Sequence, residues 1–316
     1  MTAASVVVPA HRHGPRLVAC LEALRAQEVQ GDLTVILALD GDVAIPAGTA
    51  ALADLVVHGP AKGPAAARNR GWRASAGGHV LFTDSDCVPA PGWAQRIVSA
   101  LDAGADGVKG AYSSGGGRIV QRLQQVEFEE RYASLEPGGT VDMIDTYSCG
   151  FRRSALEACN GFDESFPAAD HEDVDLSYRM AAGGMRLVFE PEARVEHEHR
   201  ATMAGYMRLK YSRGRWRARI IELHPSRSMS DRYVPWSLKA QMILCAALPA
   251  ALAGALIHPA IPAAWAAAFL ASCIPILATA VRTDPGVAPL VPLLVLARGF
   301  ALSTGLVSGA IRRRAR

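Results

Sequence analysis

The chain has 316 residues, half of them hydrophobic, with a formal net charge of +3 and a mean hydropathy of +0.13. So small a net charge argues against a surface built as a whole for nucleic acid, and the length allows about two domains. The hydropathy is high for a wholly soluble protein and is unevenly placed: residues 1–236 have an ordinary soluble α/β composition, whereas 237–316 hold few charges and many Ala, Leu, Ile and Pro.

The elements follow in order. Residues 5–11 (SVVVPAH) form a β-branched apolar run closed by Pro, a buried strand ending in a loop. Residues 15–27 space Leu17, Cys20, Leu21 and Leu24 helically behind Pro15. A second buried strand over 33–42 ends in Asp40-Gly41-Asp42, and a shorter strand covers 53–59. Residues 63–76 (GPAAARNRGWRASA) read as a helix, 79–86 (HVLFTDSD) as a fourth strand, and 92–104 as a helix stopped by Gly. After a flexible turn at 113–118, residues 118–135 carry a strong amphipathic helix pattern. Residues 145–166 predict strand, turn, short helix and loop. Residues 171–184 predict a helix with acids at its start and Gly at its end, and 185–200 two short strands and a His-rich loop.

Alternating strands and helices predict βαβ units and a parallel sheet, in which ligands bind beyond the carboxyl ends of the strands. Pro9-Ala10-His11, Asp40-Gly41 and Asp84-Ser85-Asp86 all fall at such ends. Asp84 and Asp86 suit a turn, and they equally suit a hard divalent cation, which takes oxygen ligands. The six cysteines include no CxxC pair, so neither a zinc knuckle nor a thioredoxin-like site is supported. Reduced, buried thiols suit a catalytic domain facing the cytoplasm. No basic stretch followed by an apolar one opens the chain, so no secretory signal peptide is expected.

In their joint order, VVVPA, the Asp closing the second strand, GPAAARNRG, FTDSDCVP, GFDESF, HEDVDLSYRM and VEHEHR resemble family 2 glycosyltransferases with the GT-A fold. The resemblance runs from residue 5 to about 200 and is nearest to the membrane-anchored bacterial type that assembles polysaccharides and glycolipids. It implies a Rossmann-like nucleotide-diphospho-sugar transferase domain that inverts the anomeric centre and depends on a divalent cation, Mg²⁺ or Mn²⁺.

The roles implied by the resemblance fall on particular positions. Asp84 and Asp86 match the DxD motif, Asp86 as the direct metal ligand and Asp84 toward ribose or metal-bound water. Asp40 matches the acid at the base pocket, where it could accept the N3–H of uracil; the family more often has two acids there, and the Asp-Gly pair also suits a plain turn. Pro9 and Ala10 would line the base, Arg68 would reach base or phosphate, and Asn69 would fix its loop. Glu172 and Asp173 match the ED pair, with Asp173 as general base and Glu172 orienting its neighbours; helix-start capping is the plainer reading of the same acids. Asp175 is expected to be structural. His197 would join the metal or diphosphate, with His199 competing for that part. Arg215 and Trp216 agree with the QxxRW of processive polysaccharide synthases, but Ser212 replaces the Gln, so processivity is not inferred.

The C-terminal part concerns a membrane. Arg208, Lys210, Arg213, Arg215, Arg217 and Arg219 crowd one short stretch with Tyr211 and Trp216 just before the apolar region, as in segments that meet anionic lipid, although an ordinary solvated helix face has the same composition. Residues 238–257 and 260–281 reach the ~20 residues of a span. Residues 288–311 form a third candidate with Arg298 at its centre, a costly position, and three spans would place Arg312–Arg314 outside, against the positive-inside rule.

Together these features predict an α/β GT-A domain over 1–205, a basic aromatic interfacial segment over 206–236 and transmembrane helices over 237–316. The expected partners are a nucleotide-sugar donor, a UDP-sugar in kind, a lipid-linked or polysaccharide acceptor and the membrane, with no nucleic acid. The competing readings are an inactive membrane scaffold and a nucleotidyltransferase; AHRHGPR lacks the Gly-rich, Lys-bearing phosphate loop of the latter.

Overall fold

The computed structural model describes residues 3–114, 116–166, 170–230 and 234–314. In chain order the elements are β1 (Ala4–Ala10), α1 (Pro15–Arg25), β2 (Leu33–Leu39), α2 (Ala47–Ala50), β3 (Leu55–Val57), α3 (Pro64–Ala74), β4 (His79–Thr83), β5 (Cys87–Pro89), α4 (Trp93–Asp102) and β6 (Gly107–Ser114). They continue with α5 (Ile119–Tyr132), β7 (Ser148–Arg152), α6 (Arg153–Ala158), α7 (Glu172–Ala182), β8 (Leu187–His197), α8 (Met203–Leu223), α9 (Pro225–Ser230), α10 (Trp236–Ala253), α11 (Ala260–Ser272), α12 (Ile274–Thr283) and α13 (Val291–Arg314). By internal packing the chain divides into two units, residues 1–115 with 135–198 and residues 116–134 with 199–316. The amphipathic helix α5 therefore groups with the C-terminal helices, although it lies in sequence inside the stretch read as one domain over 1–205.

The first unit is built on one mixed sheet of order β3-β2-β1-β4-β7-β6-β8-β5. Strands β3, β2, β1 and β4 run parallel to one another, so β1, β2 and β4 all end at one edge. Every residue of β1 is buried, as its unbroken apolar run requires of a strand covered on both faces. The rest of the sheet departs from the expected parallel pattern, because β7 runs antiparallel to β4 and β6, and β5 antiparallel to β8. Strand β6 (GVKGAYSS) was not foreseen: two glycines and a lysine hide its period. Strand β8 is a single strand where two short ones were expected. Its pairing with β6 is irregular between Lys109 and Ala111, and that irregularity accommodates Pro191, which has no N–H for a regular ladder.

In the second unit, α8 and α13 pack backbone to backbone. A Cβ at Gly305 would lie 2.1 Å from the Tyr211 carbonyl oxygen, and one at Gly309 would lie 2.3 Å from that of Arg215. Such small-residue contacts allow helices to approach closely. Glu127 on α5 is buried at the centre of this unit. It accepts the Tyr206 hydroxyl, pairs with Lys210 Nζ at 2.5 Å, and lies 3.4 Å from Arg298 Nη1. Burial alone would raise its pKa, but Lys210, Arg298 and Arg131 overcome that and hold the carboxyl at about 2. Arg298 also donates to Gln241 Oε1 at 2.6 Å. The charge that made residues 288–311 awkward is thus neutralised inside the protein.

Two helical stretches are long and apolar enough to cross a membrane, Trp236–Leu256 and Pro285–Arg312. The segment expected over 260–281 is broken: Ala260–Ser272 and Ile274–Thr283 meet at 42°. Pro275 explains the break, since it lacks the N–H that would continue the helical ladder. Removing the central anion tests the account of this unit. Glu127→Ala leaves Arg298 and Lys210 buried without a counter-charge, and such a loss costs about 3–5 kcal/mol. The variant is expected to melt well below the parent protein in detergent, and adding Arg298→Met should recover part of the difference.

Candidate active site

The edge where β1, β2 and β4 end gathers the polar residues of the first unit. Strand β4 is apolar through Phe82, and Thr83 donates its hydroxyl to the Tyr147 carbonyl at 2.8 Å, after which the chain turns through Asp84-Ser85-Asp86. Asp84 is half-buried and Asp86 exposed. Strand β5 follows at once, and its register sets Cys87 opposite His197. That pairing brings His197 Nε2 to 3.5 Å from Asp86 Oδ2.

This cluster fits a hard divalent cation. Ligand atoms of Asp84, Asp86 and Cys87 lie within 4.8 Å of one another. Burial, then the two nearby acids, push the Cys87 thiol well above its usual range, so it stays protonated and is a poor ligand. The remaining donors are two carboxylates and an imidazole, a set suited to Mg²⁺ or Mn²⁺. The two histidines part company here. His199 is buried in the second unit, where its Nε2 meets Gln125 Oε1 at 2.9 Å and its ring stacks on Phe128.

Arg68 on α3 is 2% exposed and joins two motifs that lie far apart in sequence. Its Nη2 donates to Asp84 Oδ1 at 2.7 Å and its Nη1 to Glu172 Oε1 at 2.6 Å. Both terminal nitrogens are therefore engaged by carboxylates. Among the described residues, Arg68 Nε and Glu172 Oε2 are buried without a hydrogen-bond partner.

Helix α7 starts from His171, whose φ of 77° is uncommon for a residue with a side chain. The first turn carries Glu172, Asp173 and Asp175. Asp175 is tied to Arg179 at 2.9 Å and serves the helix, as expected. Asp173 keeps partial access to solvent. Burial of its carboxyl, then repulsion from Glu172 and Asp145, push its pKa up to about 8 against the pull of Arg68. Glu172 is buried and is also raised by burial, but its direct contact with Arg68 favours its ionised form.

Asp145 was not singled out from the sequence, nor was its partner Lys109. Lys109 is fully buried on β6, pairs with Asp145, and lies 5.6 Å from the centre of the Tyr147 ring. A lysine inside the apolar strand GVKGAYSS was the available signal, because a buried lysine demands a counter-charge. Tyr112 stacks on Tyr147 and approaches the His197 ring at 5.0 Å, which links this pair to the metal-side histidine.

Pro9, Ala10 and Asp40 lie at the ends of β1 and β2. Pro9 and Ala10 are buried at the end of β1. Asp40 accepts backbone N–H groups from Lys62 at 2.9 Å and Gly63 at 2.9 Å, and so ties the end of β2 to the head of α3. Any contact of Asp40 with a base has to share these oxygens. Asn69 fixes its loop: it donates to the Phe162 carbonyl at 2.8 Å and to Glu164 at 2.9 Å, and accepts from Phe162 N and Trp72 Nε1. Arg215 and Trp216 lie on α8 of the second unit, with the guanidinium 5.9 Å from the indole.

Comparison with known proteins agrees with this architecture. A pre-mycofactocin glycosyltransferase of Mycobacterium tuberculosis is 31% identical over 243 residues, covering 71% of this chain and 48% of that protein. Glycosyltransferase AglE of Haloferax volcanii is 28% identical over 199 residues, covering 58% and 63%. The chain thus spans about half the length of the first of these relatives. Among solved structures, the mannosyltransferase PcManGT from Pyrobaculum calidifontis, in complex with GDP-Man and Mn²⁺, superposes with a TM-score of 0.57 at 18% identity, over 99% of this chain and 87% of that one. S. aureus TarS 1-349 superposes with a TM-score of 0.52 at 15% identity, over 99% and 92%. These two likenesses concern the fold, which is that of the GT-A enzymes. Residues 2–217 match the family described as "Glycosyltransferase like family 2", and the chain belongs to family 2 of the glycosyltransferases.

Proposed function

We propose that this chain transfers a sugar from a nucleoside-diphosphate donor, with uridine as the nucleoside, to an acceptor carried on a membrane lipid, and that it inverts the anomeric centre. The observation that carries the reading is the buried Arg68, which holds the DxD acid Asp84 and the ED acid Glu172 on one guanidinium. An accidental turn and an accidental helix cap would have no reason to share one buried cation. The same contacts speak against a scaffold that has lost its chemistry.

Asp84, Asp86 and His197 would hold the divalent cation, whose chemistry is to neutralise charge on the leaving diphosphate. The chain's own residues do the rest. Pro9, Ala10 and Asp40 form the floor of the base side at the ends of β1 and β2. Arg68 holds Asp84 and Glu172 in place through its two ion pairs. Asp173 takes the proton of the acceptor hydroxyl or phosphate as it attacks, and Lys109 with Asp145 sets the charge around it. The lipid-linked acceptor and a cytoplasmic catalytic unit are supported by the apolar C-terminal helices and by six cysteines, none of them in a disulfide.

Calorimetric binding of UDP and of GDP to the full chain in detergent, with and without Mn²⁺, tests the donor side. UDP is expected to bind only with Mn²⁺, and Asp86→Ala is expected to lose that binding. Binding indifferent to both Mn²⁺ and Asp86 would overturn the proposed site, while a preference for GDP would replace uridine and leave the mechanism standing. Asp173→Asn should bind nucleotide normally and lose about 10²–10⁴-fold in turnover, the usual contribution of a general base.

The pH profile tests the role of Asp173 further. A base acts in its deprotonated form, so kcat/KM should rise with pH and level off above an apparent pKa near 8. Asp145→Asn removes one repelling acid and leaves Lys109 less neutralised, so the limb should move to lower pH. An unmoved limb in that variant would sink the assignment of Asp173 as the titrating base.

A further inference from the structure

Residues 240–281 contain no Asp, Glu, Lys or Arg. Within them α10 and α11 form an antiparallel pair. Gln241 Nε2 donates to the Ser272 carbonyl at 2.8 Å, Trp265 Nε1 donates to the Leu244 carbonyl at 2.8 Å, and Gly254 lies against Ile261 near the turn. Both ends of the pair are fastened to α5. Ser237 at the start of α10 donates to Glu130 at 3.1 Å, and Asp284, just after α12, accepts from Arg122 Nε at 2.7 Å. Beyond the level of Gln241 and Ser272 most side chains are apolar and exposed. Leu252 is 58%, Leu256 93%, Ile257 83% and Leu270 56% exposed.

We infer that α10 and α11 form a re-entrant hairpin that enters the hydrocarbon of an anionic phospholipid bilayer and returns without exposing its tip on the far side, so that α5, α12, α13 and Arg312–Arg314 all remain on the side from which it starts. Two observations carry this. The first is the tip. Residues 254–262 (GALIHPAIP) hold one His and no charge, so crossing would leave Leu256 and Ile257 in water or among headgroups with nothing to anchor them. The second is α13. It packs backbone to backbone along α8, which carries Arg213, Arg215 and Arg217, so sinking α13 through the hydrocarbon would take those arginines with it.

The occupant follows from charge and chemistry. A charge-free tip on all faces suits acyl chains, Trp236 at the start of α10 is 79% exposed where an interfacial aromatic belongs, and the basic residues of α8 suit anionic headgroups. The arrangement also removes the conflict with the positive-inside rule, because no odd number of crossings carries Arg312–Arg314 away. The inference rests on the membrane attachment proposed above and not on the sugar-transfer reading, and its test reads topology rather than turnover.

The test uses the full chain in sealed membrane vesicles of either orientation, with Cys159→Ser to remove the partly exposed native thiol. Single reporters are placed at exposed positions: Glu28→Cys in the first unit, Ala310→Cys on α13 and Leu256→Cys at the tip, with Ile257→Cys as a second tip reporter. A membrane-impermeant maleimide is expected to label Glu28→Cys and Ala310→Cys from the same side, and the tip reporters from neither side until detergent is added. Labelling of the tip from the side opposite Glu28→Cys would establish two crossings and overturn the hairpin, as would labelling of Ala310→Cys from that opposite side. Labelling of the tip on the same side as Glu28→Cys without detergent, with the chain washed off by alkaline carbonate, would overturn it in favour of a face that covers itself with another copy.

Discussion

The first unit turns on one buried cation. Arg68 sits on α3, whose head is held by Asp40 at the end of β2, and it contacts Asp84 after β4 and Glu172 at the start of α7. Three segments separated by up to 104 residues are thereby fixed to one guanidinium. A planar fork with fixed donors suits this task better than a flexible ammonium. Its burial also makes the arrangement unforgiving, because each carboxylate it pairs would otherwise be an isolated charge out of water.

That constraint shapes the chemistry around it. The adjacent Asp173 is left buried beside two acids, Glu172 and Asp145, and burial followed by their repulsion raises its pKa. The same environment that raises its pKa makes it a stronger base once deprotonated. Lys109 moderates this from inside the sheet by pairing with Asp145. On the other side of the edge, the β5–β8 register decides which histidine meets Asp86, and it selects His197.

The second unit solves a comparable problem with opposite charges. Here the buried centre is an anion, Glu127, around which Lys210, Arg298 and Tyr206 converge from two helices. The unit can therefore be apolar over most of its length and still carry an arginine in its third hydrophobic segment. The charges stay at the base, the charge-free hairpin projects beyond them, and the glycines of α13 let α8 lie close enough to keep its backbone covered.

Much of this was legible in the sequence. The buried runs of β1, β2 and β4, the helix signals at Pro15 and Pro64, the acids opening α7 and the carboxylates after β4 are local patterns, because strand period, capping and helix polarity act over a few residues. Joined by the resemblance of their order, they placed the fold and the site edge. What the sequence left open depended on distance in space. Strand β6 was hidden because its pairing with β8, not its composition, makes it a strand. Lys109 and Asp145 lie 36 residues apart and meet only across the sheet. The grouping of α5 with the C-terminal helices and the neutralisation of Arg298 by Glu127 were likewise decided by packing. Local chemistry determines which elements form and which side chains are candidates; only the tertiary structure determines which charges become partners, because a buried charge takes its meaning from whatever lies within a few ångströms.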